Sequence, residues 1–226
     1  MTDAEQTLLF DVGANSDERS AAERVEELRA ECVTCTRCDL ADTRRNVVFG
    51  EGNPEAPLMV VGEGPGQNED ATGRPFVGRA GALLDEALAA CKITRRHVFI
   101  CNVLKCRACI NEDGRVRNRP PAPHEIAACT PWLEKQIEII RPLVILCLGA
   151  PAAKFIIKKD FKMTQERGIF FPTRYARHAI AALHPAYILR QMGDSYDGGK
   201  SLLIADVEAA RLKVVEAKKE PRLTLF

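Results

Sequence analysis

The sequence predicts an α/β fold: a three-layer sandwich with a central, mainly parallel four-stranded sheet flanked by helices. Four near-continuous apolar runs, at residues 58–62, 98–104, 143–149 and 179–183, are typical of parallel strands buried on both faces. Segments with helical periodicity alternate with these runs, as expected when helices cover both faces of such a sheet. The 226 residues suffice for one domain with a sizeable core.

Helical patterns account for the outer layers. Ser20 and Glu23 form a capping-box pattern at the start of a short helix. Apolar residues recur at helical spacing in three further segments, residues 81–93, 124–140 and 201–219, and Pro131 is expected to start a new turn in the second. We expect a flexible acidic arm at 1–18, a single domain at 19–217 and a tail at 218–226.

Charge is distributed unevenly along the chain. The first 31 residues carry nine acidic and three basic side chains, whereas the remainder has 29 basic and 22 acidic ones. A basic body suits a polyanionic partner such as nucleic acid, although uneven solvation explains the same charges without a partner. No apolar run approaches the roughly 20 residues that span a bilayer, and the short acidic N-terminus does not resemble a signal peptide. We therefore expect a cytoplasmic protein without a membrane segment.

The chain has nine cysteines, many for a cytosolic protein in which disulfides are rare. Cys91, Cys101 and Cys147 lie on an apolar stripe or inside strands and are expected in the core. The other six are candidate metal ligands: Cys32, Cys35, Cys38, Cys106, Cys109 and Cys129. Zinc and iron–sulfur clusters both accept four thiolates, so some of the six are bystanders, and their spacing does not separate the two kinds of centre.

A glycine-rich loop follows the first strand. Gly62, Gly64 and Gly66 allow close backbone approach to a ligand, but their spacing is not that of a dinucleotide site and no Gly-Lys-Ser/Thr follows. Acidic residues later in the loop would repel phosphate. A neutral polar ligand next to Phe76 fits better, and the alternative is a tight turn with a solvated acidic group.

Four motifs together resemble the iron–sulfur uracil-DNA glycosylases of the family-4 type: "VVFGEGNP", "GEGPGQNEDATGRPFVGRAG", "NVLKC" and "HPAYILR". They occur in order from about Cys35 to Arg190, over some two-thirds of the chain. The resemblance implies a monofunctional enzyme that hydrolyses the N-glycosidic bond of a flipped-out deoxyuridine in DNA and leaves an abasic site, in base excision repair. We also expect a monomer that is bacterial and associated with the nucleoid.

The resemblance places the ligands of a 4Fe–4S cluster at Cys35, Cys38, Cys106 and Cys129. Cys32 and Cys109 are then left over. In this family the cluster is regarded as structural, because it ties the N-terminal segment, the loop after the second strand and a helix together beside the DNA-facing surface.

The resemblance also implies how uracil is recognised. Phe76 offers a ring for stacking, and the Asn102 amide can accept from uracil N3–H while donating to O4, a pattern that cytosine reverses. Glu69 corresponds to the residue near uracil C5 that excludes the thymine methyl group. An asparagine that satisfies backbone groups in the core is the alternative for Asn102.

Cleavage is expected to depend on stabilising the departing uracil. His184 is positioned to donate a hydrogen bond to uracil O2 as negative charge develops, unless it only caps its strand. Backbone N–H groups near Glu63 and Gly64 add to this, with Gly62 also in the binding loop. Related branches have an acidic residue at the position of Gly64, which here has no side chain to act as a general base. We therefore expect a dissociative path with water held by backbone and Glu63.

Several residues are expected to contact DNA. Residues 187–191 resemble a loop that enters the duplex, where Ile188 and Leu189 fill the space left by the flipped nucleotide and Arg190 contacts phosphate or the minor groove. Lys105 is expected on the DNA backbone.

The segment 107–119 departs from the family pattern. It is longer than usual and adds Arg115 and Arg117, but it lacks the histidine with which a related branch bonds covalently to the abasic product. We expect tight non-covalent retention of abasic-site DNA, against the alternative of a disordered insertion.

Two terminal peptides, "QTLLF" (6–10) and "RLTLF" (222–226), resemble the motif with which bacterial repair proteins dock on the sliding clamp. The main alternative for the whole chain is a non-catalytic DNA-binding iron–sulfur or zinc protein. An electron-transfer ferredoxin is disfavoured, because the usual cysteine run is absent.

Overall fold

The computed structural model describes residues 19–193 and 196–220. The strands are β1 (Glu51–Gly52), β2 (Leu58–Gly62), β3 (Phe99–Asn102), β4 (Cys109–Glu112), β5 (Arg115–Asn118), β6 (Val144–Leu148), β7 (Phe170–Phe171) and β8 (His178–Ala182). The α-helices are α1 (Ala21–Val33), α2 (Leu40–Thr43), α3 (Gln67–Thr72), α4 (Arg79–Ala90), α5 (Pro123–Ile140), α6 (Ala150–Ile156), α7 (Met163–Glu166), α8 (Pro185–Gln191) and α9 (Lys200–Ala217).

The central sheet has the strand order β1-β3-β2-β6-β8-β7. Its four inner strands run parallel and are the four predicted ones. The short strands β1 and β7 extend the sheet by antiparallel pairing at its two edges, so the sheet has six strands rather than four. The sequence does not reveal these edge strands, because two residues are too few to show a strand periodicity.

Alternate residues of the inner strands enter two separate cores. Met59 and Val61 face a core shared with α1, α5 and α6, whereas Leu58 and Val60 face one shared with α4, α8 and α9. This is the predicted three-layer sandwich, and burial of each large aliphatic side chain contributes roughly 1.5–3 kcal/mol.

Of two predictions about helices, one is confirmed and one is wrong. The capping box of α1 is confirmed, because the Glu23 backbone N–H donates to Ser20 Oγ at 3.2 Å and the Ser20 backbone N–H donates to Glu23 Oε2 at 2.7 Å. In contrast, α5 runs on through Pro131, which does not begin a new element.

The unusual segment after the second inner strand is a β-hairpin. Strands β4 and β5 pair antiparallel, and the two residues between them, Asp113 and Gly114, have φ values of 52° and 78°. Two left-handed residues make a type I′ turn, for which Asp-Gly is a favoured sequence. The alternative of a disordered insertion is therefore wrong.

Parts of the prediction fall on residues that are not described. The acidic arm at 1–18 and both clamp-like peptides, 6–10 and 222–226, lie outside the described residues. Within residues 19–193 and 196–220, no helix has the length and apolar character required to cross a membrane.

Candidate active site and adjoining cysteine chamber

The carboxyl ends of the inner strands open into a cleft with a volume of about 570 Å³. Its walls come from the loop after β2, from the end of β3 and from the loops after β6 and β8. Ligands of parallel sheets bind at this edge, because loops from several strands meet there. Most of the predicted base-binding residues line the cleft: Glu63, Gly64, Glu69, Phe76, Asn102 and His184.

Asn102 lines the cleft and carries a buried, unsatisfied acceptor. Its side chain ends β3 with only 2 % of its surface exposed, and within the described residues Oδ1 has no hydrogen-bond partner. The alternative that this oxygen satisfies the protein's own backbone is therefore wrong. An unpaired buried carbonyl costs about 1–3 kcal/mol, so Asn102 is set to accept a hydrogen bond from a ligand N–H.

Gly62 makes room for Asn102 and for the ring of Phe76. A Cβ atom at Gly62 would lie 2.3 Å from Asn102 Oδ1 and 2.6 Å from Phe76 Cζ. Gly62 itself is beneath the cleft and does not line it. Phe76 has a left-handed φ of 53°, and its carbonyl accepts a hydrogen bond from Arg95 that holds this conformation.

His184 is a neutral hydrogen-bond donor at ordinary pH. Burial and then the charge of Arg190 lower its pKa to about 4, although Glu69 opposes them. The backbone N–H of Ala186 donates to Nδ1 at 3.1 Å, so the proton of the neutral ring is on Nε2. Within the described residues Nε2 has no partner, and the ring centre lies 6.0 Å from that of Phe76. His184 caps α8, yet it keeps a donor for a ligand.

The two acidic residues of the cleft differ in their partners. Burial raises the pKa of Glu63 above its usual range. Glu69 holds the loops together: Oε1 accepts from the backbone N–H groups of Val77 and Gly78, each at 3.0 Å, and Oε2 accepts from that of Gly66 at 3.1 Å. The sequence predicted Glu69 at the cleft but gave no sign of these backbone partners.

The expected DNA-entering loop is helix α8, and this overturns one assignment. Ile188 is fully buried in the core shared with α4 and α9, so it is not available to fill a gap in DNA. Leu189 is partly buried against the same core. Arg190 and Tyr187 line the cleft, and Tyr187 is 45 % exposed.

The hairpin contributes one residue that the sequence analysis missed. Asn118 lines the cleft, and its Oδ1 accepts from Arg107 Nε at 2.7 Å. Arg115 and Arg117 alternate with Asn118 along β5 and therefore lie on the opposite face of the hairpin. Neither arginine lines the cleft, and Arg117 pairs with Glu112 on the neighbouring strand.

Five cysteines surround a second, smaller space, which we call the cysteine chamber: Cys32, Cys35, Cys38, Cys106 and Cys129. All four predicted ligands are among them. Cys109 is not, and Cys32 is fully buried there. Cys91, Cys101 and Cys147 are buried in the two cores as expected.

The chamber presents N–H donors to its sulfur atoms. Trp132 Nε1 donates to Cys35 Sγ at 3.3 Å, the Lys105 backbone N–H to Cys129 Sγ at 3.1 Å, and Arg44 Nη1 lies 3.6 Å from Cys106 Sγ. Among the described residues, no three metal-binding side chains are arranged to hold a single ion. Four thiolates are a ligand set that both zinc ions and iron–sulfur clusters accept.

Lys105 does not occupy the position predicted for it. Only 1 % of it is exposed, and Nζ donates to the Asn102 carbonyl oxygen at 2.7 Å and to Gln136 Oε1 at 2.6 Å. The prediction that Lys105 contacts the DNA backbone is therefore wrong, because the side chain points into the protein between the cleft and the cysteine chamber.

A parallel sheet with an unpaired amide acceptor, a neutral histidine donor and an aromatic ring at its carboxyl edge defines a pocket for a planar polar group. The chain belongs to the uracil DNA glycosylase superfamily, whose family model matches residues 49–207. Within that superfamily it is a member of the type-4 uracil-DNA glycosylases.

Three relatives support this assignment. The chain is 44 % identical to the type-4 uracil-DNA glycosylase of Thermotoga maritima over 191 residues, 84 % of this chain and 94 % of the relative. It is 40 % identical to that of Archaeoglobus fulgidus (77 % and 89 % covered) and 41 % identical to that of Sulfurisphaera tokodaii (73 % and 76 % covered).

The steric role of Gly62 is tested by a matched pair of glycine variants. Gly62→Ala should abolish ligand binding in the cleft, because its Cβ would displace Asn102 Oδ1 or Phe76. Gly193→Ala should be tolerated, since Gly193 does not line the cleft and an added Cβ there would meet no atom within 4 Å. Uracil release and thermal unfolding of both variants check this. Equal activity of the two would contradict the steric argument.

The lowered pKa of His184 predicts a pH dependence of stability. The unfolded chain takes up this proton near the ordinary value of 6.5 and the folded chain only at about 4, so stability is lost as pH falls between them. From about pH 7.5 to about pH 5, the free energy of unfolding should fall by about 2 kcal/mol more in the wild type than in His184→Gln. Urea unfolding at both pH values measures this, and parallel losses in the two proteins would refute it.

Proposed function

We propose that this protein is a monofunctional uracil-DNA glycosylase, which hydrolyses the N-glycosidic bond of a flipped-out deoxyuridine and leaves an abasic site in DNA repair. The observation that carries the proposal is the unpaired Asn102 Oδ1 in a cleft that also holds the free Nε2–H of His184. Family membership and the printed names of the relatives support the same activity.

Recognition of uracil follows from the chemistry of the cleft. Uracil N3–H donates to Asn102 Oδ1, uracil O4 accepts from the Asn102 amide, and the base lies against the Phe76 ring. Cytosine carries an acceptor at N3 and a donor at N4, so it would leave the Asn102 groups unpaired or opposed. Glu69, fixed by three backbone N–H groups, forms a wall of the cleft and excludes the thymine methyl group.

Cleavage proceeds by departure of the base. As the N1–C1′ bond breaks, its electron pair goes to uracil and positive charge develops on the sugar. Neutral His184 donates from Nε2 to uracil O2 and stabilises the anion without having to transfer its proton. A water molecule held by Glu63 and nearby backbone then adds to C1′ and loses a proton, which gives the abasic sugar.

We infer that Cys35, Cys38, Cys106 and Cys129 hold a 4Fe–4S cluster. The cysteine chamber supports this assignment, because its thiols come from the segment after α1, the segment after β3 and helix α5, with N–H donors aimed at three sulfurs. When bound, the cluster supplies covalent links among these three segments. Cys32 lines the same chamber as a fifth cysteine.

DNA is contacted around the mouth of the cleft. Arg190 and Tyr187 lie on α8 at the mouth, where a cation and an exposed ring suit phosphate and an unstacked base. On the hairpin, Arg115 and Arg117 are exposed on the face opposite Asn118. We propose that these arginines bind phosphates of the DNA that flanks the abasic site and slow release of the abasic product.

The proposed catalytic roles predict how strongly each of three alanine substitutions lowers the rate of uracil release. His184→Ala and Asn102→Ala should each lower the rate of uracil release by about 10²–10³-fold, because each removes a group that meets the departing base. Glu63→Ala should cost less, since backbone also holds the water. Single-turnover release from a uracil-containing oligonucleotide measures all three.

Glu55→Ala is the matched control, because Glu55 is an exposed glutamate outside the cleft. It should release uracil at the wild-type rate. A larger loss in Glu63→Ala than in His184→Ala would contradict the dissociative path. Binding of DNA by the wild type without any uracil release would favour the non-catalytic alternative.

Product retention is tested by shortening the hairpin. Replacing residues 110–117 with Asn-Gly keeps the paired residues Cys109 and Asn118 and supplies a type I′ turn. The shortened protein should release abasic-site DNA faster, and Arg115→Gln with Arg117→Gln should also reduce the slope of log affinity against log salt by about two.

Lys218→Gln with Lys219→Gln is the control for charge. These lysines follow α9, next to Glu220, which contacts His178 at the amino end of β8 and so lies at the edge of the sheet remote from the cleft. The double variant removes the same charge and should retain the product like the wild type. Unchanged product release from the shortened protein would reject a role for the hairpin.

A further inference from the structure

Lys105 lines the cysteine chamber and is hydrogen-bonded to a residue of the cleft. Its Nζ donates to the Asn102 carbonyl oxygen at 2.7 Å, and its backbone N–H donates to Cys129 Sγ at 3.1 Å. One residue therefore touches the proposed base-reading asparagine on one side and a proposed cluster ligand on the other.

The charge of Lys105 lacks an anionic partner in the described protein. The side chain is 1 % exposed, and its oxygen partners, the Asn102 carbonyl and Gln136 Oε1, are neutral. Within residues 19–193 and 196–220, no carboxylate forms an ion pair with Nζ. A buried cation is costly unless negative charge lies nearby, and Lys105 lines the chamber in which four cysteines would be thiolates.

Lys105 is held rigidly by its neighbours. The Val48 backbone N–H donates to the Lys105 carbonyl at 2.7 Å, and Gln136, which accepts from Nζ, donates through Nε2 to the Phe49 carbonyl at 2.8 Å. The network joins the loop before β1, helix α5 and the end of β3. Its geometry fixes where Nζ meets Asn102.

We propose that Lys105 is a positioning residue that couples the two sites. Its ammonium is the buried counter-cation of the thiolates that hold the cluster, and its hydrogen bond to the Asn102 carbonyl fixes the backbone from which the Asn102 amide projects into the cleft. The inference rests on the proposed function of both sites. It makes the cluster a source of electrostatic support for base recognition in addition to a covalent link.

The test is Lys105→Met, examined by two measurements on the purified holoenzyme. The reduction potential of the cluster should become more negative, because removal of a nearby positive charge disfavours the reduced, more anionic state. The kcat/KM for uracil release should fall about 10–100-fold, as is typical when a residue that orients a functional group is lost. A residue with only a packing role would leave the potential unchanged.

Two further variants calibrate the potential. Arg44→Gln removes the guanidinium that lies 3.6 Å from Cys106 Sγ and should shift the potential in the same direction. Gln136→Leu breaks the same buried network without removing charge, so its potential should equal that of the wild type. A wild-type potential in Lys105→Met, with a shift in Arg44→Gln, would overturn the counter-cation role.

Lys105→Arg keeps the charge with a different donor geometry, and it carries the test if Lys105→Met does not fold. It should retain the wild-type reduction potential but have a lower kcat/KM for uracil release. A kcat/KM equal to that of the wild type would overturn the positioning role. Wild-type protein without iron–sulfur absorbance or without uracil release would reject the proposed function itself. If instead the wild type is active and the Lys105 variants have the same potential and kcat/KM, only the role of Lys105 is rejected.

Discussion

The register between β2 and β3 is the constraint on which the candidate site depends. It places Gly62 directly beside Asn102, the last pair of the two strands. The pairing continues beyond them, since the backbone N–H groups of Val103 and Leu104 donate to the carbonyls of Gly62 and Glu63 at 2.9 and 3.0 Å. A shift of one residue would turn the Asn102 amide toward the opposite face of the sheet, away from the cleft. The missing side chain at Gly62 then leaves the space in which Asn102 Oδ1 and the Phe76 ring both lie.

The electrostatics of the cleft suit a neutral base better than a charged ligand. Burial keeps His184 neutral and raises the pKa of Glu63, while the Glu69 carboxylate is satisfied by backbone N–H groups. Its polar side chains thus offer directional hydrogen bonds to a ligand. Donors and acceptors fixed before binding stabilise a developing charge without reorganising, which is the property that departure of an anionic base requires.

The sequence alone predicted the four inner strands and the ligand-binding loop after the first of them, because continuous apolar runs and glycine-rich turns are local signals. Lys105 and Ile188 were misplaced for tertiary reasons. Lysine is rarely buried, and the partner that buries Lys105, Gln136, is 31 residues away. The hairpin had a local signal in Asp113-Gly114, which the sequence analysis missed. The backbone partners of Glu69 depend on how the loop folds back, and no periodicity encodes that.

The order of residues after β3 explains why two sites lie side by side. Asn102 closes the strand, Lys105 turns inward and Cys106 enters the cysteine chamber, so only three residues separate Asn102 in the cleft from Cys106 in the chamber. A segment this short has few free torsions once both ends are fixed. Movement of Cys106 must therefore be absorbed by Val103, Leu104 and Lys105, all buried and packed. Close packing transmits such displacements instead of damping them, so the geometry of Asn102 depends on whatever holds Cys106 in place.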